Sequence, residues 1–414
     1  MAPFKLLLTV GLTSFAAACS SDSNPNNGAD AGDTGGKSAT GGSGASSGGK
    51  STTGGSAGKG SGGSEAGSGG TAPGAGGAGA GGGQSAGGSA GKAGSTSTGG
   101  GAGSGAGGGA SGGTPGDAGP DAAPVGAPVE HVFVIAMENH DESQIIGDMA
   151  DAPYINGTLL KDYASTSNFV DTLPLNIPSE PHYVLVESGT NAFSDVTFTT
   201  DDDPSAANST SSTEHLVAQM KTASVSWMSY QEGLEAATTG ACPIHTYSFY
   251  GAKHDPFVFF QDVAGSPPSD TNAYCVAHHA PSTQLAGDLS GDKVAAYSFI
   301  TPNLCNDMHG AGGCPNSNTI RSGDDWLKAN VPGLITYANA HNGVIFILWD
   351  EGYSTLQIPF IAVGPMVKKN YVSSVEFNHG SVVKTIEKIF SLPTLAKVAS
   401  SNDLSDLFLP GSIP

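Results

Sequence analysis

From Ser20 to Val125 the chain has almost no Leu, Ile, Val or Phe; it is Gly, Ala, Ser and Thr with a few Pro and Asp. Such a stretch cannot bury enough apolar surface to offset the entropy of ordering it, so no packed domain is expected there. Gly accounts for 62 of 414 residues, about double the usual share, and nearly all the excess precedes residue 126. The remainder, roughly 126–414, suits one large α/β domain or two small ones. That part is also short of basic residues. Of 16 Lys and Arg and 37 Asp and Glu, 5 and 6 precede residue 126, which leaves 11 and 31. A surface so acidic repels polyanions, which excludes a nucleic-acid binder driven by phosphate neutralisation. Dense acid fits divalent-cation sites, although its commoner meaning is solubility.

Near the N-terminus the apolar run is short. Lys5 precedes Leu6, Leu7, Leu8, Val10, Leu12 and Phe15, too few to span a bilayer as a helix, so residues 1–18 read as a secretory signal. Ala16-Ala17-Ala18-Cys19, followed by Ser20-Ser21-Asp22, resembles a bacterial lipoprotein cleavage site, with Ala16 where Leu is commoner. The resemblance implies lipidation of Cys19; the alternative is an ordinary signal peptide with an incidental cysteine. Ser20 favours sorting to the outer membrane or surface of a Gram-negative cell. Residues 19–125 are then a disordered tether, and a Gly-rich coil of that length spans roughly 50–60 Å. The expectation is an exported lipoprotein held to a membrane by its anchor.

No CxxC pair occurs, which disfavours a zinc site. Setting Cys19 aside leaves Cys242, Cys275, Cys305 and Cys314, an even count that suggests two disulfides in an exported domain. Three connectivities are open. Adjacent pairing, Cys242–Cys275 and Cys305–Cys314, closes the shortest loops and is the expected one.

Glu130–Met137 and Gly343–Trp349 are continuous apolar runs, as in strands buried on both faces. Ile358–Val363, Asn168–Val170, Val225–Tyr230 and Val294–Ile300 are further strand candidates. Helical spacing marks Pro153–Tyr163, Thr213–Met220, Ser322–Ala340 (with Asp324 and Asp325 in its first turn) and Ser381–Phe390. Strands alternating with helices predict an α/β domain over 126–414: a mainly parallel central sheet with helices on both faces. In such sheets the chemistry sits beyond the carboxyl ends of the strands.

The two most apolar strands run straight into acids: Met137-Glu138-Asn139-His140 and Trp349-Asp350-Glu351. As parallel neighbours they would bring Glu138, Asp350 and Glu351 to one edge, where three carboxylates repel unless a cation lies between them. Oxygen donors suit hard or borderline divalent ions. Ser179 stands in Ile177-Pro178-Ser179-Glu180-Pro181-His182-Tyr183. A helix starting there would give it backbone N–H groups and a favourable dipole for an anionic substrate.

Taken in order, His131–His140, Pro178–Tyr183, Lys253-His254-Asp255-Pro256-Phe257, Thr301–His309, Trp349-Asp350-Glu351 and His379–Glu387 resemble the bacterial phosphoesterase family, which holds acid phosphatases and phosphatidylcholine-type phospholipases C. The resemblance covers nearly all of 130–410 and implies an alkaline-phosphatase-like fold. It implies a divalent metal (Zn, Mg, Mn or Ca) held by Glu138, Asn139, Ser179, Asp350 and Glu351. Ser179 is the implied nucleophile, forming a phosphoserine that water then hydrolyses. His254, first, and His309, second, are the implied proton donors to the leaving group, and Asn139 a donor to a phosphate oxygen. Asn303, Asn306 and Asp307 match a nearby polar loop, and His379 opens the last helix motif. Lys253 is the only basic residue inside the Lys253–Phe257 motif and its neighbours, so the metal must carry most of the charge compensation.

Three positions depart from the pattern: His182 where Asn is usual, Asp141-Glu142-Ser143-Gln144 for Ser-Phe-Asp, and Gly380 for Tyr. His182 and Asp141 are expected to alter the pocket's charge. The leading expectation is an acid-phosphatase-like phosphomonoesterase on a small phosphate ester. The alternatives are a phospholipase C acting on a phospholipid, and an inactive phospho-ligand binder. The chain's stop at Pro414, soon after the last motif, favours the compact phosphatase-like form. No obligate protein partner is inferred. His140, His215, His245, His278, His279 and His341 read as structural or surface residues. Trp227, Tyr230 and Glu232 read as packing beside the site.

Overall fold

The computed structural model describes residues 127–236 and 240–414. The signal and tether expected for 1–18 and 19–125, with Cys19, lie outside the described residues. Eight strands form one sheet: β1 His131–Met137, β2 Ala164–Thr166, β3 Trp227–Gln231, β4 His279–Pro281, β5 Tyr297–Thr301, β6 Gly343–Trp349, β7 Phe360–Val363 and β8 Tyr371–Ser373. Their order is β4-β3-β5-β1-β6-β7-β2-β8. β4, β3, β5, β1 and β6 run parallel. β7 is antiparallel to both its neighbours, so the Ile358–Val363 segment is a strand but not part of the parallel set.

β1 and β6 form the centre because they are apolar on both faces, and all seven residues of β6 are buried. Helices cover both sides. The Thr319–Ala340 helix lies on one face, where Tyr337 meets Phe133 edge-on at 6.1 Å. The Ser179–Ser188 helix lies on the other, where Tyr183 meets Phe299 at 6.4 Å. This is the expected α/β architecture. The β1–β6 register runs from His131↔Gly343 to Met137↔Trp349. The two strands therefore end level, and Glu138 and Asp350 leave the sheet side by side.

Several expected boundaries shift for local reasons. The second strand is Ala164–Thr166, while Phe169 and Val170 make only single bridges. Within Pro153–Tyr163 the middle turn is wide, a π-type segment over Ile155–Leu159. The Leu216–Ala223 helix has no side-chain cap, and Thr213 does not start it. The long helix begins at Thr319, capped by the Asn318 side chain. Asp324 thus falls inside it, buried, and accepts from the backbone N–H groups of Tyr154 and Ile155 at 2.9 and 2.8 Å. Both disulfides pair as expected, Cys242–Cys275 and Cys305–Cys314. Among the described residues no helix is long and apolar enough to cross a membrane.

Candidate active site

At the end of β1 the chain turns sharply. Asn139 takes φ 50°, a left-handed conformation that Asn tolerates better than most residues. Its N–H donates to Asp350 Oδ1 at 3.0 Å, and its Nδ2 donates to Glu138 Oε2 at 3.0 Å. Asp350 N–H returns a bond to the Met137 carbonyl at 3.0 Å. These bonds lock the two strand ends together.

Ser179 opens the Ser179–Ser188 helix, with Pro178 in the cap position. Its hydroxyl stands between two carboxylates, 3.2 Å from Glu138 Oε2 and 3.1 Å from Glu351 Oε1. One turn along, Tyr183 donates its hydroxyl to Glu138 Oε1 at 2.6 Å. Glu138, Asn139, Ser179, Asp350 and Glu351, separated by up to 213 residues in sequence, therefore meet in one place.

A second group adjoins them. The His254 ring stacks on Tyr183 at 4.9 Å. Its Nε2 lies 3.2 Å from Glu138 Oε1 and its Nδ1 3.5 Å from Asp307 Oδ2. Asp307 is held by its backbone carbonyl, which accepts from Glu138 N–H at 2.8 Å, and by Oδ1, which accepts from His309 N–H at 2.8 Å. His309 donates Nδ1–H to the Gly310 carbonyl at 2.6 Å, and its ring lies 5.9 Å from that of His254. The Cys305–Cys314 disulfide closes the loop that carries Asp307 and His309.

Other sequence candidates occupy supporting places. Asn306 donates to both oxygens of Glu232, and Asn303 N–H to one of them, so this loop is pinned to the end of β3. His379 donates Nε2–H to the Trp349 carbonyl at 3.1 Å, bracing the strand just before Asp350. Lys253 is ion-paired with Asp201. Asp141 does not tune the pocket as expected. Its carboxylate accepts from Ser354 and Thr355, which fixes the loop after Glu351. His182 is the departure that does face the site: its Nδ1–H donates to the Pro178 carbonyl at 2.9 Å and its Nε2 meets Asp171 Oδ2 at 3.0 Å.

The electrostatics show what this arrangement costs. Burial, then the charge of Glu138, pushes Asp307 and Asp350 well above the ordinary carboxylate range. Burial also raises Glu138, against the opposing charge of His309, and brings Glu351 to about 7 despite the opposing charge of His182. His254 is driven well below its usual value, chiefly by burial and then by Lys253 and His309, so it supplies little positive charge. For His182, burial pulls the other way, but Asp171 outweighs it and its pKa is raised. Burial takes His379 down to about 4.

Ligand-type atoms gather in two sets, Glu138–His254–Asp307 and His182–Asp350–Glu351, each within 4.8 Å. Among the described residues, Asp307 Oδ2, Asp350 Oδ2 and His254 Nε2 are buried without a hydrogen-bond partner. Buried acids short of counter-charge and of donors are the chemistry of a cation site, so the residues fit a divalent metal. The grouping refines the sequence reading. Asp307, expected only in a polar loop, is a full member, and His254 is a buried member of a donor set rather than an open proton donor. The sequence signal for Asp307 was its place in the Thr301–His309 motif, two residues before His309.

The chain is 25% identical to a probable acid phosphatase of Kluyveromyces lactis over 277 residues, 64% of this chain and 59% of that one. It is 24% identical to the phosphate-repressible acid phosphatase of Penicillium chrysogenum, over 58% of this chain and 54% of the other. The chain thus spans little more than half the length of these curated relatives. Among solved structures it is similar to the phosphonate monoester hydrolase SpPMH from Silicibacter pomeroyi, with TM-score 0.43, 12% identity, and 69% and 77% of the two chains covered. It is also similar to a protein in the alkaline phosphatase superfamily from Vibrio parahaemolyticus, with TM-score 0.42, 12% identity, and 68% and 70% covered. Residues 156–393, more than half of the chain, match the model of the Phosphoesterase family, and the chain belongs to that family.

Proposed function

We propose that this chain is a metal-dependent hydrolase of phosphate monoesters that works through a phosphoserine at Ser179. The observation that carries the reading is the Ser179 hydroxyl, held at a helix N-terminus between Glu138 and Glu351. Glu138, Asn139, Ser179, Asp350 and Glu351 would hold the cation, with Asp307 and His254 beside it. When bound, the cation supplies charge compensation for the phosphate and lowers the pKa of the serine hydroxyl.

The chain's own groups account for the rest. Glu138 and Glu351 orient the Ser179 oxygen and can take its proton. The helix N-terminus favours the anionic phosphate. Asn139 has a second Nδ2–H left for a phosphate oxygen once one is given to Glu138. The Oγ–phosphorus bond forms as the bond to the alcohol oxygen breaks, and the departing oxygen takes a proton from His309. With Nδ1–H committed to Gly310, Nε2 is the ring atom that would deliver it. His309, part-exposed, therefore replaces the buried His254 as the candidate acid. Water then attacks the phosphoserine, releasing phosphate and restoring the hydroxyl.

The test is the full chain, stripped of metal and supplied in turn with Zn, Mg, Mn and Ca, on an aryl phosphate monoester, an aryl phosphodiester and phosphatidylcholine vesicles. Preferred turnover of the monoester, with a phosphate trapped on Ser179 by acid quench and seen by mass spectrometry, supports the reading. Preferred cleavage of the vesicles transfers the assignment to a phospholipase C. A turnover that leaves Ser179 unmodified under rapid quench rejects the nucleophile. Membrane tethering through Cys19 is part of the same proposal. Mass spectrometry of the exported protein should find a lipid on that thiol, and a free Cys19 rejects it.

A further inference from the structure

We propose that Asp171 and His182 act as a positioning pair that sets the Ser179 hydroxyl against Glu351. The inference rests on the reading of Ser179 as nucleophile, but its evidence is separate. Both side chains are fully buried. His182 lies one helical turn after Ser179 and grips the carbonyl of Pro178, the residue immediately before it, at 2.9 Å. A carbonyl only accepts, so Nδ1 carries the hydrogen. The other ring nitrogen is taken by Asp171 Oδ2 at 3.0 Å. With both nitrogens committed, His182 serves as a brace rather than as a ligand, although it lies beside Asp350 and Glu351.

Asp171 ties the brace to the opposite wall. Its Oδ1 accepts from Leu173 N–H at 3.0 Å, which shapes the loop leading to Ser179. Its own N–H donates to the Leu356 carbonyl at 2.7 Å, in the segment that follows Glu351. The nucleophile's helix and the loop before it are therefore linked through one imidazole and one carboxylate, and the main chain of Asp171 joins that pair to the segment bearing Glu351. The 3.1 Å contact between Ser179 Oγ and Glu351 Oε1 is what this linkage holds fixed. Displacement of a reacting group by about 1 Å can cost roughly a hundredfold in rate, so a brace of this kind acts on turnover rather than on affinity.

The experiment compares Asp171→Ala, Asp171→Asn, His182→Ala and the double alanine variant of the full chain on an aryl phosphate. Asp171→Ala should lower kcat by about a hundredfold with KM little changed. Asp171→Asn, able to hold the ring through a neutral hydrogen bond, should restore most of the loss. The double variant should be no worse than His182→Ala, because one linkage is broken once. An Asp171→Ala enzyme with full kcat, losses that multiply in the double variant, or an Asp171→Asn enzyme as damaged as Asp171→Ala would each overturn the pairing. Should Asp171→Ala not fold, His182→Leu, which keeps the bulk but bonds neither Pro178 nor Asp171, tests the same link from its other end, with the same expected loss of kcat. If the unaltered chain turns over no phosphate ester, the functional reading fails. The brace is then judged by crystal structures of the unaltered chain and His182→Leu: an unmoved Ser179 Oγ refutes it and a shift away from Glu351 upholds it.

Discussion

The Ser179–Ser188 helix carries buried acid at both ends, and the two ends treat it differently. Near its C-terminus, Glu187 Oε1 accepts from His215 Nδ1–H at 3.0 Å and from Val217 N–H at 2.7 Å. The other ring nitrogen of His215 meets Asp262 at 3.0 Å, and Phe260 stacks on the ring at 3.8 Å. Burial lowers the His215 pKa, but the two acids outweigh it and hold it raised. That end has a positive charge of its own, although burial still holds Glu187 above the ordinary carboxylate range and leaves its Oε2 without a hydrogen-bond partner. At the N-terminus, Glu138, Asp307, Asp350 and Glu351 converge, and the nearby Lys253 and His182 each also serve another acid, Asp201 and Asp171. A buried charge that is paired holds a fold; one left unpaired waits for something the chain does not contain.

The largest expected effect separates the two ends outright. Ser179→Ala should reduce kcat by at least about 10³-fold, since a nucleophile that acts with its neighbours as a unit takes most of the catalysis with it. Its melting temperature should stay near that of the unaltered chain. Activity within tenfold of the unaltered enzyme would sink the assignment. At the other end, His215→Ala leaves Glu187 buried without its partner and should cost about 3–5 kcal/mol in denaturant unfolding. The kcat of the folded fraction should be unchanged. If kcat falls while stability holds, the contrast between the ends has been drawn the wrong way round.

How much of this contrast the sequence carried depends on the kind of signal. Glu138, Asp350 and Glu351 were readable because each follows a strand too apolar to be anything but central, and the sheet's register does the rest. The disulfides followed from short loops. Ser179 stood out only through the family resemblance, because a serine between prolines is usually a turn. Asp307 and the Asp171–His182 pair could not be found by periodicity. Asp307 and Asp171 sit in loops, His182 sits in the Ser179–Ser188 helix, and their partners are fixed by tertiary packing that no local pattern encodes. Likewise Asp141 looked like a pocket residue because it departs from the family pattern after Glu138-Asn139-His140, yet past the turn at Asn139 its carboxylate is bound by Ser354.

The loop at Asp307 offers an intermediate effect. Replacing Cys305 and Cys314 by Ser should cost about 2–3 kcal/mol on loop-entropy grounds for so short a loop. It should also lower kcat by releasing Asp307 and His309. Unfolding curves and kinetics without reductant check both, and a variant with normal kcat would show that the Glu138–Asp307 backbone bond alone holds the site.

A smaller effect is the pH dependence of stability in chelator. Glu351, at about 7, and the raised Glu138, Asp307 and Asp350 hold protons in the folded state that they release on unfolding. The unfolded state therefore binds fewer protons, and stability falls as pH rises. The contribution is complete below the ordinary carboxylate pKa of about 4 and, for Glu351, is lost as pH climbs through about 7. Metal-free protein should melt progressively lower between those limits. A flat profile would mean that these acids are not strained by their neighbours.

On the function proposed above, the converging acids hold a cation that both completes the fold and enables turnover. Melting temperature and aryl phosphatase activity measured together across a chelator titration test it most directly. A cation bound only to the folded state adds about 2.7 kcal/mol at a hundredfold excess over its Kd. Both quantities should fall together on chelation and recover together when metal is restored, and Asp350→Asn should blunt both responses. Full activity with unchanged melting in the metal-stripped protein would contradict it.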